Sequence, residues 1–207
     1  WGDEFFVADG QGGSTNAMTT GFGDAAIVAD RKKNRLLVMM VCGRTVCWNG
    51  RWTPEKSLTD DAVNRVARLY ATYDKAHKKW VWSQPEEVTN SIYNLFLDEN
   101  GNPTVSSLFI GSGKICQSRV VKKGRYYRLY CSMWTRDEGN RDIYSDDFGG
   151  SWQVLGKVAD RPAPYGDEPK IEELPDGTVV LSSRKGAGRY FNQIGRASCR
   201  ERVYCRV

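Results

Sequence analysis

Apolar and β-branched positions along this chain alternate with polar ones in short runs. Gly-, Pro- and Asn-containing turns separate the runs, and few stretches carry a helical period. A short strand is predicted over residues 4–8, followed by a polar Gly/Ser/Thr/Asn loop. Residues 23–30 predict a strand, Arg31-Lys32-Lys33-Asn34 its turn, and residues 35–41 the returning strand. Residues 42–62 read as a loop holding Cys42, Cys47, Trp48 and Trp52, and residues 65–70 as the next strand. Asp98-Glu99-Asn100-Gly101-Asn102-Pro103 is a solvated connection marked by its Gly and Pro. Strands follow at 104–109, 116–121 and 125–133, the last two joined at Lys122-Lys123-Gly124. Asp137, Glu138, Arg141 and Asp142 read as a solvated charged loop.

The later part of the chain holds the sharpest local pattern. Residues 169–174 predict a strand, Pro175-Asp176-Gly177 a tight turn, and residues 178–183 a second strand rich in β-branched residues. Glu168 stands where the first strand begins and Arg184 where the second ends. An antiparallel pair brings those two positions to the same end of the hairpin. The pairing reads either as a surface ion pair or as a carboxylate and a guanidinium delivered together to the rim of a sheet. Upstream, Ser145, Asp147, Gly149 and Trp152 have the spacing Ser-x-Asp-x-Gly-x-x-Trp. Asp147 and Ser145 can accept backbone N–H groups across a tight turn, Gly149 can supply its unusual φ, and Trp152 can pack beneath it.

Composition narrows the class. A length of 207 residues suits one domain with a sizeable core, and seven Trp, ten Tyr and 21 Gly favour an all-β chain with many turns. The net charge of +5 invites an anionic partner, but the last fourteen residues hold four Arg and one Glu, so the rest carries only +2. That is too little to argue for nucleic acid or a membrane surface, and no apolar run is long enough for a membrane span. Of six Cys, none forms a C-x-x-C pair, and His77 is the single histidine. This pattern argues against zinc and against a Ser-His-Asp mechanism, and no cofactor is implied. Cys42 and Cys47 are either a disulfide or, as is commoner for Cys in strands, buried free thiols.

The Ser145–Trp152 spacing resembles the Asp-box, a structural staple of sialidases and other β-propellers. With it, Gly113-Lys114-Ile115-Cys116-Gln117-Ser118-Arg119, Arg128-Leu129-Tyr130-Cys131, Asp167-Glu168-Pro169-Lys170, Ser182-Ser183-Arg184 and Gly188-Arg189-Tyr190-Phe191-Asn192 resemble a bacterial exo-sialidase. The resemblance covers roughly residues 1–193 and implies an all-β, six-bladed propeller of which the middle blades are present. Thr72 to Ala76 with Trp80 and Trp82 resembles a second, worn box. Trp1 reads as the close of an earlier one. Residues 194–203 resemble one reading frame of a sequencing-adapter oligonucleotide, so residues 194–207 are set outside the domain.

The resemblance implies a retaining exo-α-sialidase acting on sialylated glycans, in a secreted or periplasmic setting. Glu168 would be the base for a Tyr nucleophile, and Arg184 one of three Arg that hold the substrate carboxylate. Asp24 would contact the hydroxyl on carbon 4 of the sugar, or else cap a turn. Gln117 would face the substrate, or else make a hydrogen bond at the sheet rim. The acid/base Asp, the nucleophilic Tyr and the other two Arg are expected outside residues 1–193, so the chain alone is expected to be inactive. A non-catalytic carbohydrate-binding propeller and a trans-sialidase are the alternatives.

Overall fold

The computed structural model describes residues 4–44, 52–54, 63–136, 139–158, 163, 166–196 and 205–206. It is mostly strand, in three mainly antiparallel sheets. The first sheet begins with β1 (Phe22–Ala29), β2 (Arg35–Cys42), β3 (Arg65–Asp74), β4 (Lys79–Trp82) and the short β5 (Glu86–Glu87). A one-and-a-half-turn helix, α1 (Thr89–Tyr93), and a 3-10 turn (Asn94–Phe96) follow. Then come β6 (Leu108–Ile110), β7 (Gly113–Lys114), β8 (Cys116–Lys123), β9 (Tyr126–Thr135), β10 (Gly139–Ser145) and β11 (Gln153–Val154). The third sheet holds β12 (Asp167–Glu173), β13 (Thr178–Lys185), β14 (Gly188–Arg196) and β15 (Cys205–Arg206).

Chain order and sheet order nearly coincide, as a meander requires. The first sheet runs β4-β3-β2-β1-β7, the second β11-β10-β9-β6 with β8 also on β9, and the third β12-β13-β14-β15. The exception is β7, which pairs in parallel with β1 through Ala26↔Gly113 and Ile27↔Lys114. This parallel pair, between segments far apart in the chain, joins the first sheet to the approach of the second. Among the described residues, no sheet closes on itself.

The sheets stack, and apolar side chains fill each gap. Leu37 and Met39 of β2 meet Leu129, Cys131, Met133 and Ile143 of the second sheet, with Ile92, Tyr93 and Phe96 plugging the end. Cys116 and Tyr130, on the other face of that sheet, meet Ile171, Val179, Leu181 and Ile194 of the third. Alternate residues of β2 and β9 therefore point into different cores, which is why these strands lack a polar face. Each fully buried Leu, Ile or Met contributes roughly 1.5–3 kcal/mol. Buried polar links cross the same gaps. Glu173, 2% exposed, accepts Ser118 Oγ–H at 2.5 Å and the Arg119 N–H at 2.6 Å.

The Ser145–Trp152 turn joins β10 to β11. Ser145 Oγ accepts the Gly149 N–H at 2.8 Å and donates to Asp147 Oδ1 at 2.7 Å. Asp147 in turn accepts the N–H (2.9 Å) and hydroxyl (2.7 Å) of Ser151. Gly149 has φ +84°, and a Cβ there would lie 2.4 Å from Leu37 Cδ2. Phe148, at φ 65°, is buried with the Arg35 guanidinium 3.7 Å from its ring centroid. Trp152 packs into the core between the first two sheets. Arg68 of β3 closes the turn from outside, donating to the Gly149 and Gly150 carbonyls at 2.6 and 2.8 Å.

Three expectations are corrected. Residues 4–8 form no strand; Val7 and Ala8 pack on the outer core of the first sheet without ladder bonds. Thr72 to Trp82 is a plain hairpin of β3 and β4, in which Asp74 Oδ1 accepts the Ala76 and His77 N–H groups. Arg141 and Asp142 are buried strand residues. Ser132 Oγ donates to Asp142 at 2.7 Å, and Arg141 donates to the Val158 carbonyl at 2.6 Å. Of the two readings of the cysteines, the buried free thiol is the one found at Cys42, Cys116 and Cys131. Trp1, Cys47, Trp48, Asp137 and Glu138 lie outside the described residues, as does most of 194–207.

Candidate functional site

The hairpin read from the sequence forms with Asp167 opposite Arg184. Gly177, at φ +82°, closes its turn by donating to the Leu174 carbonyl at 2.9 Å. At the other end the ladder breaks. Asp167 pairs with Arg184 and Lys170 with Ser182, so Glu168 and Pro169 together oppose Ser183. This is a β-bulge, and Pro169 suits it because its missing N–H breaks no ladder bond. Glu168 adopts φ +41°, a left-handed conformation that costs a residue with a Cβ on the order of 1–3 kcal/mol.

The same device occurs once more. In β1, Gly23 pairs with Val41 and Ala26 with Met39, so Asp24 and Ala25 form a bulge opposite Met40. Asp24 also takes a left-handed conformation, φ 46°. Apart from these two carboxylates, only Lys78 and Phe148 have positive φ among the described non-glycine residues. A bulge re-aims the side chain it carries. Both re-aimed acids line one cleft of about 280 Å³, together with Phe109, Gly111, Ser112, Asp167, Lys170 and Arg189.

The strands converge here because small groups let them. A Cβ on Gly111 would fall 2.6 Å from the Pro169 carbonyl oxygen and 2.9 Å from that of Ser132. Lys170 reaches across to hydrogen-bond the Ser112 carbonyl oxygen. Burial, then the neighbouring Arg189 cation, holds Lys170 below the usual lysine value. Arg184 bonds two residues of the cleft wall, with Nη2 to Asp167 Oδ2 at 2.9 Å and Nε to Glu168 Oε2 at 3.2 Å. The Asp167 hydrogen bond, then the Glu168 charge, raises its pKa further. Both partners of the 3.2 Å pair are about half exposed, at 48% and 52%, so the pair adds little to stability. Three carboxylates (Asp24, Asp167, Glu168) and two cations (Lys170, Arg189) thus line one opening, and Arg184 joins them through Asp167 and Glu168.

Of the residues singled out from the sequence, Asp24, Glu168 and Arg184 are brought together and Gln117 is not. The Gln117 carboxamide accepts the Arg31 N–H at 3.0 Å and donates to Asp30 Oδ1 at 3.3 Å. It lines a separate cleft of about 220 Å³ with Arg31, Lys114, Arg119 and Glu172. Its place is the sheet-rim hydrogen bond. Ser145, Asp147, Gly149 and Trp152 lie in the β10–β11 turn and do not line the cleft. Lys170 and Arg189, to which the sequence assigns no site role, also line the cleft. Their signal was available: each lies within five residues of Glu168 or Arg184. A larger cleft, about 470 Å³, lies beside Arg128, whose guanidinium is taken up by both oxygens of Asp146 at 2.7–2.8 Å. Among the described residues, no group of His, Cys, Asp and Glu is placed to hold a metal, and no helix is long and apolar enough to cross a membrane.

Three stacked meander sheets, with a charged cleft on their converging strands, make this an all-β protein. The solved structures agree. A sialidase from Trypanosoma rangeli, in complex with 2,3-difluorosialic acid as a covalent intermediate, superposes with a TM-score of 0.61 at 16% identity, covering 90% of this chain and 28% of that one. The intramolecular trans-sialidase from Ruminococcus gnavus gives 0.60 at 12% identity, covering 90% and 54%. In sequence, a sialidase from Micromonospora viridifaciens is 26% identical over 196 residues, 94% of this chain. No family model matches. In sequence and in fold the chain is thus similar to sialidases. It spans 27% of the length of that curated relative.

Proposed function

We propose that residues 1–193 are part of the propeller domain of a retaining exo-α-sialidase that removes terminal sialic acids from glycoproteins, glycolipids and oligosaccharides outside the cytoplasm. The observation that carries the reading is the Glu168–Arg184 pair, 3.2 Å apart, on a cleft whose wall also holds Asp24. Sialic acid carries a carboxylate on its anomeric carbon. A planar guanidinium matches that group in a way an ammonium does not. Arg184 keeps Nη1 without a partner among the described residues, so it has a donor to offer.

A carboxylate nucleophile would meet repulsion from the substrate's own charge, and sialidases use Tyr instead. A phenol with a pKa of about 10 needs a base. Glu168 takes that role: its carboxylate accepts the Tyr proton as the phenolate oxygen bonds the anomeric carbon and the aglycone leaves. Arg184 orients the substrate carboxylate and, through its bond to Glu168, the base as well. Asp24 accepts from the hydroxyl on carbon 4. The turn at Ser145, Asp147, Gly149 and Trp152 is an Asp-box, which braces the scaffold and takes no part in the chemistry. The nucleophilic Tyr, the acid/base Asp and two further Arg come from chain beyond residues 1–193.

The test is release of the leaving group from a fluorogenic sialoside. The enzyme encoded by the gene extended in both directions turns it over, and the 207-residue chain does not. Turnover by the short chain, or none by the extended enzyme, contradicts the reading. The likeness to an intramolecular trans-sialidase makes transfer the second reading. Free sialic acid as the product excludes it, and an anhydro or transferred product supports it.

A further inference from the structure

Glu168 sits in a conformation that its side chain does not favour, and three neighbours hold it there. Its N–H donates to Asp167 Oδ1 at 2.7 Å. Its carboxylate meets Arg184. Its carbonyl oxygen accepts from Arg189 Nη2 at 3.0 Å. Of the three, Arg189 has the longest reach. It stands on β14 opposite Arg184, and its guanidinium crosses back over β13 toward the first strand of the sheet. The same guanidinium is anchored on β13, where Nε donates to Ser182 Oγ at 2.9 Å and Nη2, which also meets Glu168, to the Ser182 carbonyl at 3.3 Å. Ser182 pairs with Lys170, the residue at which regular pairing resumes after the bulge.

We infer that Arg189 is a positioning residue: its guanidinium locks the Glu168 peptide in the left-handed bulge and so aims the Glu168 carboxylate at Arg184 and the cleft. Two features of the geometry carry this. A planar fork can bridge two fixed acceptors on adjacent strands, whereas an ammonium engages them without fixing their angle. And the peptide it grips is the one whose φ must stay positive. If that carbonyl is released, the peptide is free to relax toward extended φ, which turns the side chain toward the opposite face of the sheet. The kinetic part of the inference rests on the role proposed above for Glu168; the conformational part does not.

The experiment has two arms. In the 207-residue chain, NMR reads the Glu168 amide through its three-bond coupling and its Cα shift. Arg189→Ala moves both toward extended-strand values, Ser182→Ala moves them in the same direction by less, and Arg189→Lys restores them only in part. Unchanged Glu168 signals in Arg189→Ala overturn the inference. In the extended enzyme, Arg189→Ala lowers kcat about 10- to 100-fold, the loss expected from misplacing a reacting group by about an ångström, with a smaller change in KM. A rise in KM at constant kcat makes Arg189 a substrate-binding group and overturns the positioning role. If the unmodified extended enzyme shows no sialoside turnover, the proposed function fails while the NMR arm still decides the conformational claim.

Discussion

Gly149→Ala isolates the interaction that ties the β10–β11 turn to the core. The new methyl carbon would stand 2.4 Å from Leu37 Cδ2, 3.3 Å from Cδ1 and 3.4 Å from Cγ. Leu37 is fully buried, so it cannot swing aside into solvent. Overpacking of this kind costs about 1–3 kcal/mol. The backbone at φ +84° adds a further ~1–2 kcal/mol for a residue with a Cβ. The expected total is about 2–5 kcal/mol. Gly186→Ala separates the two contributions. Its φ is +60° and nothing lies within 4 Å of the added carbon, so it should cost the backbone share alone, about 1–2 kcal/mol. Urea denaturation followed by tryptophan fluorescence measures both. In a Leu37→Ala background the vacated space accepts the methyl, and the extra cost of Gly149→Ala should fall to that of Gly186→Ala. Equal costs for the two alanines in the parent chain, or no change in the Leu37→Ala background, would refute the steric reasoning.

Further expectations follow from the same structure. Asp147 is pulled up by burial, but hydrogen bonds from the backbone and side chain of Ser151 and from Ser145 outweigh this and leave its pKa below the ordinary value. Its folded pKa being depressed, its contribution is present above a pH of about 4 and lost as pH falls through the folded value. Asp147→Asn should therefore flatten the acid limb of stability against pH, and an unchanged limb counts against the assignment. Burial pushes the Cys42, Cys116 and Cys131 thiols up to about 12. Alkylation at pH 8 with peptide mass spectrometry should leave these three unmodified in the native chain and label them in denaturant; rapid native labelling would show that they are accessible. Trp152→Ala, at a side chain 8% exposed in the core between the first two sheets, should cost about 3–5 kcal/mol in the same urea titration, and a cost below about 1 kcal/mol would remove it from the core.

What the sequence disclosed and what it hid differ in physical kind. Local codes were legible. Pro175-Asp176-Gly177 sets a turn, the turn sets the register, and the register puts Asp167 opposite Arg184 and Glu168 beside it. Ser145, Asp147, Gly149 and Trp152 act within eight residues of chain, so their spacing implies their bonds. Long-range partners were not legible. Arg141 and Asp142 look like solvent-loving charges until a third strand and Ser132 cover them. Gln117 is claimed by Arg31 and Asp30, more than eighty residues away. α1 is too short to show a period, although Ile92 and Tyr93 are fully buried. The positive φ of Asp24 and Glu168 has no glycine to announce it. Two carboxylates, each followed by Ala or Pro and each opening the first strand of its sheet, were the only trace.

Steady-state kinetics of two variants of the extended enzyme test most directly the proposed roles of Glu168 as base and Arg184 as carboxylate clamp. Glu168→Gln keeps the shape and removes the proton acceptor, so kcat on the fluorogenic sialoside should drop about 10²- to 10⁴-fold with KM little changed. Arg184→Lys keeps the charge and removes the fork, so KM should rise as its main effect. Near-normal kcat in Glu168→Gln together with near-normal KM in Arg184→Lys would contradict the assignment of both residues.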